Sequence, residues 1–264
     1  MQNEGKVLVV PDVHGRTFWT KVINEVDNFD RIIFLGDYLD QYNFEQISST
    51  EAIENFKRII EFKKENEDNV ILLLGNHDLP YFSETYYELS SWHCRHDIFN
   101  HGEICKLFSE NKNFFKIAHV EEDIIFTHSG IESEWLREVV MCNSNDINII
   151  GMAINSLIHP KLGKMGLRSL FKVTAARGGS DRCPSCVWAD INEMLFEQLR
   201  TQNPDDSLDP ILKMKQVFGH TIQAKITDNN KIVFGKPIEK KNIKMLDCAK
   251  VFILDINNFT ITQL

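Results

Sequence analysis

RIIFLGDYLD, Arg31–Asp40, is the stretch whose reading decides the fold. Ile32, Ile33, Phe34 and Leu35 form an apolar run that ends at Gly36, and the carboxylates Asp37 and Asp40 follow at once. Such a run reads as a strand buried on both faces. Its carboxylates then fall just past the C-terminal end, where open α/β sheets place ligands. The same grammar occurs twice nearby. Lys6–Val10 (KVLVV) runs into Pro11, Asp12, Val13, His14 and Gly15, and Asn69–Leu74 (NVILLL) runs into Gly75, Asn76, His77 and Asp78. Three strands that each end in oxygen and imidazole donors point to a metal site with Asp37 at its centre.

The segments between these strands carry helical spacing. Thr17–Val26 places Phe18, Val22, Ile23 and Val26 on one side, and Thr50–Lys64 does the same with Ile53, Phe56, Ile59, Ile60 and Phe62. The order β-α-β-α-β predicts an α/β fold with a mainly parallel sheet and helices on its faces. From Leu79 to Asn113 the chain is aromatic-rich (Tyr81, Phe82, Tyr86, Tyr87, Trp92, Phe99) and reads as helical and irregular. Phe114–Val120 and Asp123–Thr127 predict a hairpin whose second strand ends in His128, Ser129 and Gly130. Helices are expected at Ser133–Met141 and Ile147–Leu157, and a Gly/Arg-rich patch spans Arg177–Arg182. Gln216–Phe218 reads as a short strand ending in Gly219 and His220. Further strand-like runs are Lys231–Phe234, Val251–Asp255 and Phe259–Thr262, with Asn257–Asn258 favouring a turn. No repeat or low-complexity linker divides the chain. One domain over 1–264 is expected, with elaborations at about 79–115 and 131–214.

The 264 residues are 43% hydrophobic and 25% charged, enough for a sizeable core without disulfides. The net charge of −9 comes without a basic block, which argues against general nucleic-acid binding. No export signal or run of about 18 apolar residues is evident, so a membrane partner is not expected and a cytoplasmic location is. The six cysteines are then expected to be mostly free thiols.

The candidate metal ligands, in order, are Asp12, His14, Asp37, Asn76, His128 and His220, each following or ending an apolar run. Carboxylate with imidazole suits a first-row divalent ion such as Mn²⁺, Fe²⁺ or Zn²⁺ better than Ca²⁺. Six ligands exceed one tetrahedral zinc with an open position, and fit two ions about 3.5–4 Å apart that share a carboxylate. Two dications against the carboxylates of Asp12 and Asp37 leave a positive site, matched to a phosphoryl group and a hydroxide.

The set Asp12-Val13-His14-Gly15, Gly36–Asp40, Gly75–Asp78, His128–Gly130 and Gly219-His220 resembles the calcineurin-like metallophosphoesterase superfamily. The motifs span residues 12–220. Within the superfamily, Gly36–Asp40 and the segment Val187-Trp188-Ala189-Asp190 look most like the serine/threonine protein phosphatases and their bacterial and phage relatives. The resemblance implies a double β-sandwich flanked by helices. It implies that Asp12 and His14 hold a first metal, that Asp37 bridges, and that Asn76, His128 and His220 hold a second. It implies His77 as the general acid, oriented by Asp40, and in-line attack by a hydroxide on the metal pair with no phosphoenzyme. The ions expected are two divalent metals, Mn²⁺ first, with Fe, Zn or Ni as alternatives.

Two positions depart from that branch. Gln41 stands where an arginine usually binds the phosphate, and Asp78 stands where the branch has glutamate. The clamp is then expected from Arg177, Arg182 or Arg16. Cys183-Pro184-Ser185-Cys186 reads as incidental thiols, His93, Cys94, His96 and His101 as a surface cluster, and Asp205, Asp206 and Asp209 as an exposed acidic loop. The reading is a metal-dependent phosphomonoesterase, with phosphoproteins or small phosphoesters as substrate. Its rivals are a hydrolase of nucleotides or dinucleoside polyphosphates, and a non-catalytic metal-binding interaction module.

Overall fold

The computed structural model describes residues 5–90, 93–200, 210–227 and 232–264. Trp92, Lys231 and the acidic run Asp205, Asp206 and Asp209 lie outside the described residues. The strands, in chain order, are β1 (Lys6–Val10), β2 (Arg31–Phe34), β3 (Val70–Leu73), β4 (Phe115–Lys116), β5 (His119–Glu121), β6 (Ile124–Phe126), β7 (Lys215–Phe218), β8 (Ala224–Ile226), β9 (Ile232–Phe234), β10 (Ile238–Glu239), β11 (Ile243–Met245), β12 (Phe252–Asp255) and β13 (Thr260–Gln263). The helices are α1 (Ser49–Glu65), α2 (Leu79–Phe82), α3 (Glu84–Ser90), α4 (His101–Glu110), α5 (Ile147–Ser156), α6 (Gly163–Leu170) and α7 (Ile191–Arg200).

A first sheet has the order β13-β12-β1-β2-β3-β4, and a second has the order β10-β11-β7-β6-β5. Strands β1 to β4 run parallel, as do β6, β7 and β11. Side chains alternate across a strand, and each apolar run uses both faces. Val7, Val9, Ile33, Leu35, Ile71 and Leu73 pack on Ile124, Phe126 and Val217 between the sheets. The alternate residues Leu8, Val10, Ile32, Phe34, Val70 and Leu72 instead meet Ile53, Phe56, Ile59 and Ile60 of α1. Beyond the second sheet, Phe218, Ile243 and Met245 pack on Ile191 and Met194 of α7. The layers are therefore helix, sheet, sheet, helix: an α/β double β-sandwich flanked by helices. No helix among the described residues is long and apolar enough to cross a membrane.

Three local expectations are corrected. The first predicted helix is a 3-10 helix, Phe18–Asn28. Its buried residues Trp19 and Val22 stand three apart, the 3-10 repeat. The predicted strand Phe114–Val120 is two strands, because the chain leaves the first sheet after β4 and enters the second at β5. At that crossing the Asn155 carboxamide serves the exposed backbone. Its Oδ1 accepts from Ile117 N (2.8 Å) and Ala118 N (3.0 Å), and its Nδ2 donates to Ala118 O (2.9 Å). Within Ser133–Met141 the helical turn is a wide π turn, Trp135–Val139.

Candidate metal centre and active site

The parallel order brings the C-terminal ends of five strands to one edge. From the first sheet, β1 delivers Asp12 and His14, β2 delivers Asp37 and Asp40, and β3 delivers Asn76 and His77. From the second, β6 delivers His128 and β7 delivers His220. Two donor groups result, Asp12–His14–Asp37 and Asp37–His128–His220, each with its ligand atoms within 4.8 Å of one another. Asp37 belongs to both. Asn76 adjoins the second group, with Oδ1 3.0 Å from His128 Nε2.

The loops are built tightly around these carboxylates. A Cβ on Gly75 would collide with Asp37 Oδ1, and one on Gly219 would collide with Asp12 Oδ1. His14, Asp37, Asp40 and His220 all hold positive φ (46°, 51°, 58° and 68°). That region is strained for residues with a Cβ and persists where the surroundings fix it. Part of the fixing comes from Asp78, which is fully buried. Its carboxylate accepts from the backbone N–H groups of Asp37 (2.7 Å), Tyr38 (3.0 Å) and Gly75 (2.8 Å). The aspartate of G-N-H-D thus ties the second loop to the third.

The imidazoles are oriented as metal ligands require. Nδ1 of His14 donates to Leu39 O (2.8 Å), and Nδ1 of His128 donates to Leu35 O (2.8 Å). Each Nε2 is left facing the carboxylates: His14 Nε2 is 3.5 Å and His128 Nε2 is 3.4 Å from Asp37 Oδ2. An outer carbonyl that fixes one ring nitrogen sets the other as a ligand. His220 N donates to both carboxylate oxygens of Asp12 (3.0 Å each), while its Nε2 is buried without a partner. Its Nδ1 lies 3.1 Å from His128 Nε2, so Nδ1 is the ring nitrogen turned to the ligand cluster.

The electrostatics agree. Burial holds the His14 and His220 imidazoles well below their ordinary range, and so neutral. Burial also raises Asp12, to about 6, with the Asp37 charge adding to it. Burial opposes a charge on His128, yet Asp37 and Asp12 raise it to about 10. The donor set fits divalent metal.

His77 and Asp40 stand beside this cluster. His77 N donates to Asp37 Oδ1 (2.9 Å), and its Nδ1 lies 3.0 Å from Asp40 Oδ2. Tyr81 Oη donates to the other Asp40 oxygen. Burial disfavours a charged His77, but Asp37 and Asp40 together hold its pKa above the ordinary value.

A cavity of about 230 Å³ opens over the cluster, bordered by His14, Asp37, Asn76, His77 and His220 and, around its rim, Tyr42, His93, Arg95, Arg177 and Trp188. Of the three arginines expected at the phosphate, Arg177 borders it. Its Nη2 is held by Asp190 (3.0 Å) and Thr221 Oγ1 (2.6 Å), and its Nε is buried without a partner. Arg16 is placed below the cluster, with Nε on Glu45 (2.7 Å) and Nη1 on the Asp12 carbonyl (3.3 Å). Arg182 lies off the cavity, 74% exposed, paired with Glu134 and Glu138.

Sequence reasoning missed Arg95 and set His93 aside in a surface cluster. The correction is that the connection after α3 folds back over the site. Arg95 Nη2 donates to Asp40 O (3.0 Å), its guanidinium lies 4.2 Å from the Tyr42 ring, and its carbonyl is 3.1 Å from His77 Nδ1. Cys94 is buried, and its thiol donates to Asn76 O. The one available signal was a histidine, an arginine and a cysteine set together in an aromatic-rich run. The segment Val187–Asp190 packs against His128–Gly130: Ala189 N donates to Ser129 Oγ (2.9 Å), and Ser129 N to Cys186 O (2.9 Å). The six cysteines are free thiols.

A family model for calcineurin-like phosphoesterases matches residues 5–174. No curated protein matches the sequence. Among solved structures, two of a cold-active protein tyrosine phosphatase, one of them a single-residue mutant, superpose with TM-scores of 0.55 and 0.54. They are 15% and 16% identical, covering 98% of this chain and 80% and 78% of theirs. A metallophosphoesterase from Sphaerobacter thermophilus gives a TM-score of 0.46 at 14% identity, over 99% of this chain and 89% of that one. The likeness to the two tyrosine phosphatase structures is one of fold. With residues 5–174 matched by the family model, the chain belongs to the calcineurin-like phosphoesterases and is a hydrolase of phosphoester bonds.

Proposed function

We propose that this protein is a phosphomonoesterase that works with two divalent metal ions, Mn²⁺ first among them, at a centre bridged by Asp37. The observation that carries this is the pair of donor groups sharing Asp37 beneath one cavity. Asp12, His14 and Asp37 would hold one ion, and Asp37, Asn76, His128 and His220 the other. Bound there, such ions supply an activated water as nucleophile and positive charge for the phosphoryl oxygens. His77 protonates the leaving oxygen from Nε2, while Asp40 holds the proton on Nδ1 and fixes the ring. Arg177, pinned by Asp190 and Thr221, meets the phosphoryl group from one side of the rim, and Arg95 from the other.

The substrate class favoured is a phosphoserine or phosphothreonine side chain. At about 230 Å³ the cavity is smaller than the roughly 300–1,000 Å³ of drug-sized ligand sites, so it suits a phosphoryl group whose carrier stays outside. A nucleobase would need an open aromatic face. Tyr42 is stacked on Phe44 (5.0 Å) and also carries the Arg95 guanidinium 4.2 Å from its ring, and Trp188 is buried, with Nε1 donating to Tyr86 Oη.

The test is hydrolysis of an aryl phosphate by metal-stripped protein with Mn²⁺, Ni²⁺, Fe²⁺ or Zn²⁺ restored singly. Turnover that needs metal and is lost in Asp37→Asn supports the centre. A panel of phosphopeptides, mononucleotides and dinucleoside polyphosphates then ranks substrates. Preference for a nucleotide overturns the phosphoprotein reading. Metal uptake without turnover on any substrate leaves a binding module.

A further inference from the structure

The first sheet places donors at the ends of three adjacent strands, β1, β2 and β3, whereas the second has so far given two, from β6 and β7. Its third strand at this edge is β11. It runs parallel to β7 with Met245 beside Phe218, and Leu246 N donates to Phe218 O (2.8 Å). Two residues on, Asp247 comes level with His220 and directly follows the sheet's edge. Asp247 is 1% exposed, and both of its carboxylate oxygens are buried without a hydrogen-bond partner. Its backbone is anchored, since Asp247 O accepts from Gln223 N (2.7 Å) in the loop after His220.

The surroundings of this carboxylate are those of the metal cluster. Asp12, Arg16, Asp37 and His128 all act on it electrostatically, and Asp247 in turn acts on Tyr42 at the cavity rim. Arg16 Nη2 and Glu45 Oε2 are also buried and unpartnered. Burying an acid that nothing meets is unfavourable, and Arg16 is not within ion-pair distance of Asp247.

We propose, building on the dinuclear reading, that Asp247 is an outer-sphere residue of the metal centre: its carboxylate accepts hydrogen bonds from water on the ion held by Asp12, His14 and Asp37. Direct ligation is disfavoured by distance. Donors on one first-row ion lie no more than about 4.2 Å apart, twice a bond of about 2.1 Å. Asp247 stands outside the 4.8 Å group that Asp12, His14 and Asp37 form. Acting through water, it orients a ligand that the chain itself does not supply, and it compensates an ion that has only three protein donors.

The test compares Asp247→Asn and Asp247→Ser with the unaltered chain by Mn²⁺ titration calorimetry, and by thermal melting with and without Mn²⁺. The unaltered chain should take up two ions. In both variants one of the two should weaken about 10–100-fold, the range for outer-shell partners, and the other should hold. The metal-free variants should melt at the same temperature or higher, since a buried unpaired carboxylate has been removed, and should gain less on adding Mn²⁺. Two ions of unchanged affinity in both variants overturn the proposal. So does a fall in metal-free melting temperature with affinities intact, which makes Asp247 a structural partner of Arg16. An unaltered chain that binds no ion overturns the dinuclear reading itself, a separate result seen before any variant is made.

Discussion

The ligand cluster and the cavity rim lie within a few ångströms of each other and are built on opposite terms. In the cluster every donor ends a strand, is buried or nearly so, and is held by its neighbours. Gly75 and Gly219 admit the carboxylates, Asp78 ties three backbone N–H groups, and carbonyls orient His14 and His128. At the rim, Arg95 and His93 come from a connection between helices, and Arg177 from a 3-10 turn, Ala175–Arg177, that ends in Gly178 at φ 80°. The buried part has one geometry and serves a reaction common to many substrates. Two of the rim's charged groups are lightly held, Arg177 by Asp190 and Thr221 and Arg95 by the Asp40 carbonyl and the Tyr42 ring, and there substrate choice can change without disturbing the buried cluster.

The largest effect expected is at the atom both donor groups share. Asp37→Asn leaves one acceptor oxygen where two are needed, and should lower kcat more than about 10³-fold, beyond the 10–100-fold of an outer-shell change. Metal analysis should show fewer than two ions retained. Should turnover persist at a tenth of normal, the cluster does not work through a shared carboxylate, and the contrast with the rim fails at its centre.

His77 comes next. Its removal as His77→Asn should cost about 10²–10⁴-fold in kcat on an alkyl phosphate. The loss should shrink as the leaving group becomes more acidic, because a phenolate with electron-withdrawing groups departs without a proton. Metal content should not change. An equal loss on both kinds of ester would move His77 from proton donor to structural partner of Asp40, whose Oδ2 lies 3.0 Å from its Nδ1.

At the rim the effects are smaller and of a different kind. Arg177→Ala should raise KM with metal content intact, by 10–100-fold in kcat/KM, as expected for one charge-assisted contact of about 1.5–3 kcal/mol. Arg177→Lys should recover little of it, because two partners, Asp190 and Thr221, fix a planar guanidinium and not an ammonium. Arg95→Ala should cost less, since the side chain is exposed and spends one donor on Asp40 O. Substrate ranking should shift in Arg95→Ala more than in Arg177→Ala if Arg95 meets the carrier as well as the phosphoryl group.

The same contrast explains what could be read from the sequence. Strands β1, β2 and β3 are apolar runs cut by Gly or Pro, and their period, burial and end residues follow from local rules. The parallel sheet and the residues gathered at its edge were legible for that reason, whereas the second sheet packed against it was expected only from the family resemblance. The 3-10 helix at Phe18–Asn28 differs from an α-helix by a fraction of a residue per turn, which a few apolar positions do not resolve. The split between β4 and β5 depends on Asn155, some forty positions later, supplying hydrogen bonds at the crossing. No local pattern encodes that. Arg95 and Asp247 were missed for a related reason: each reaches the centre by tertiary placement, Arg95 on a folded-back connection and Asp247 by register of β11 on β7.

The smallest effect expected sharpens the boundary between the two regions. Arg182 shares the RGGSDR patch with Arg177 and has the same chemistry, so sequence gives no ground to separate them. The structure separates them by four intervening residues of chain that turn back on themselves. Gly179 N donates to Thr174 O (2.8 Å), Asp181 N to Val173 O (2.9 Å), and the Asp181 carboxylate holds Lys172 (2.9 Å). Arg182 emerges pointing at Glu134 and Glu138 and is 74% exposed. Exposed ion pairs of this sort contribute about 0–1 kcal/mol, so Arg182→Ala should leave kcat/KM within about twofold and the melting temperature nearly unmoved. A tenfold loss in kcat/KM on a phosphopeptide, with an aryl phosphate unaffected, would mean that Arg182 meets the peptide beyond the cavity. The rim would then extend across the whole patch, and the line drawn here between Arg177 and Arg182 would have to move outward.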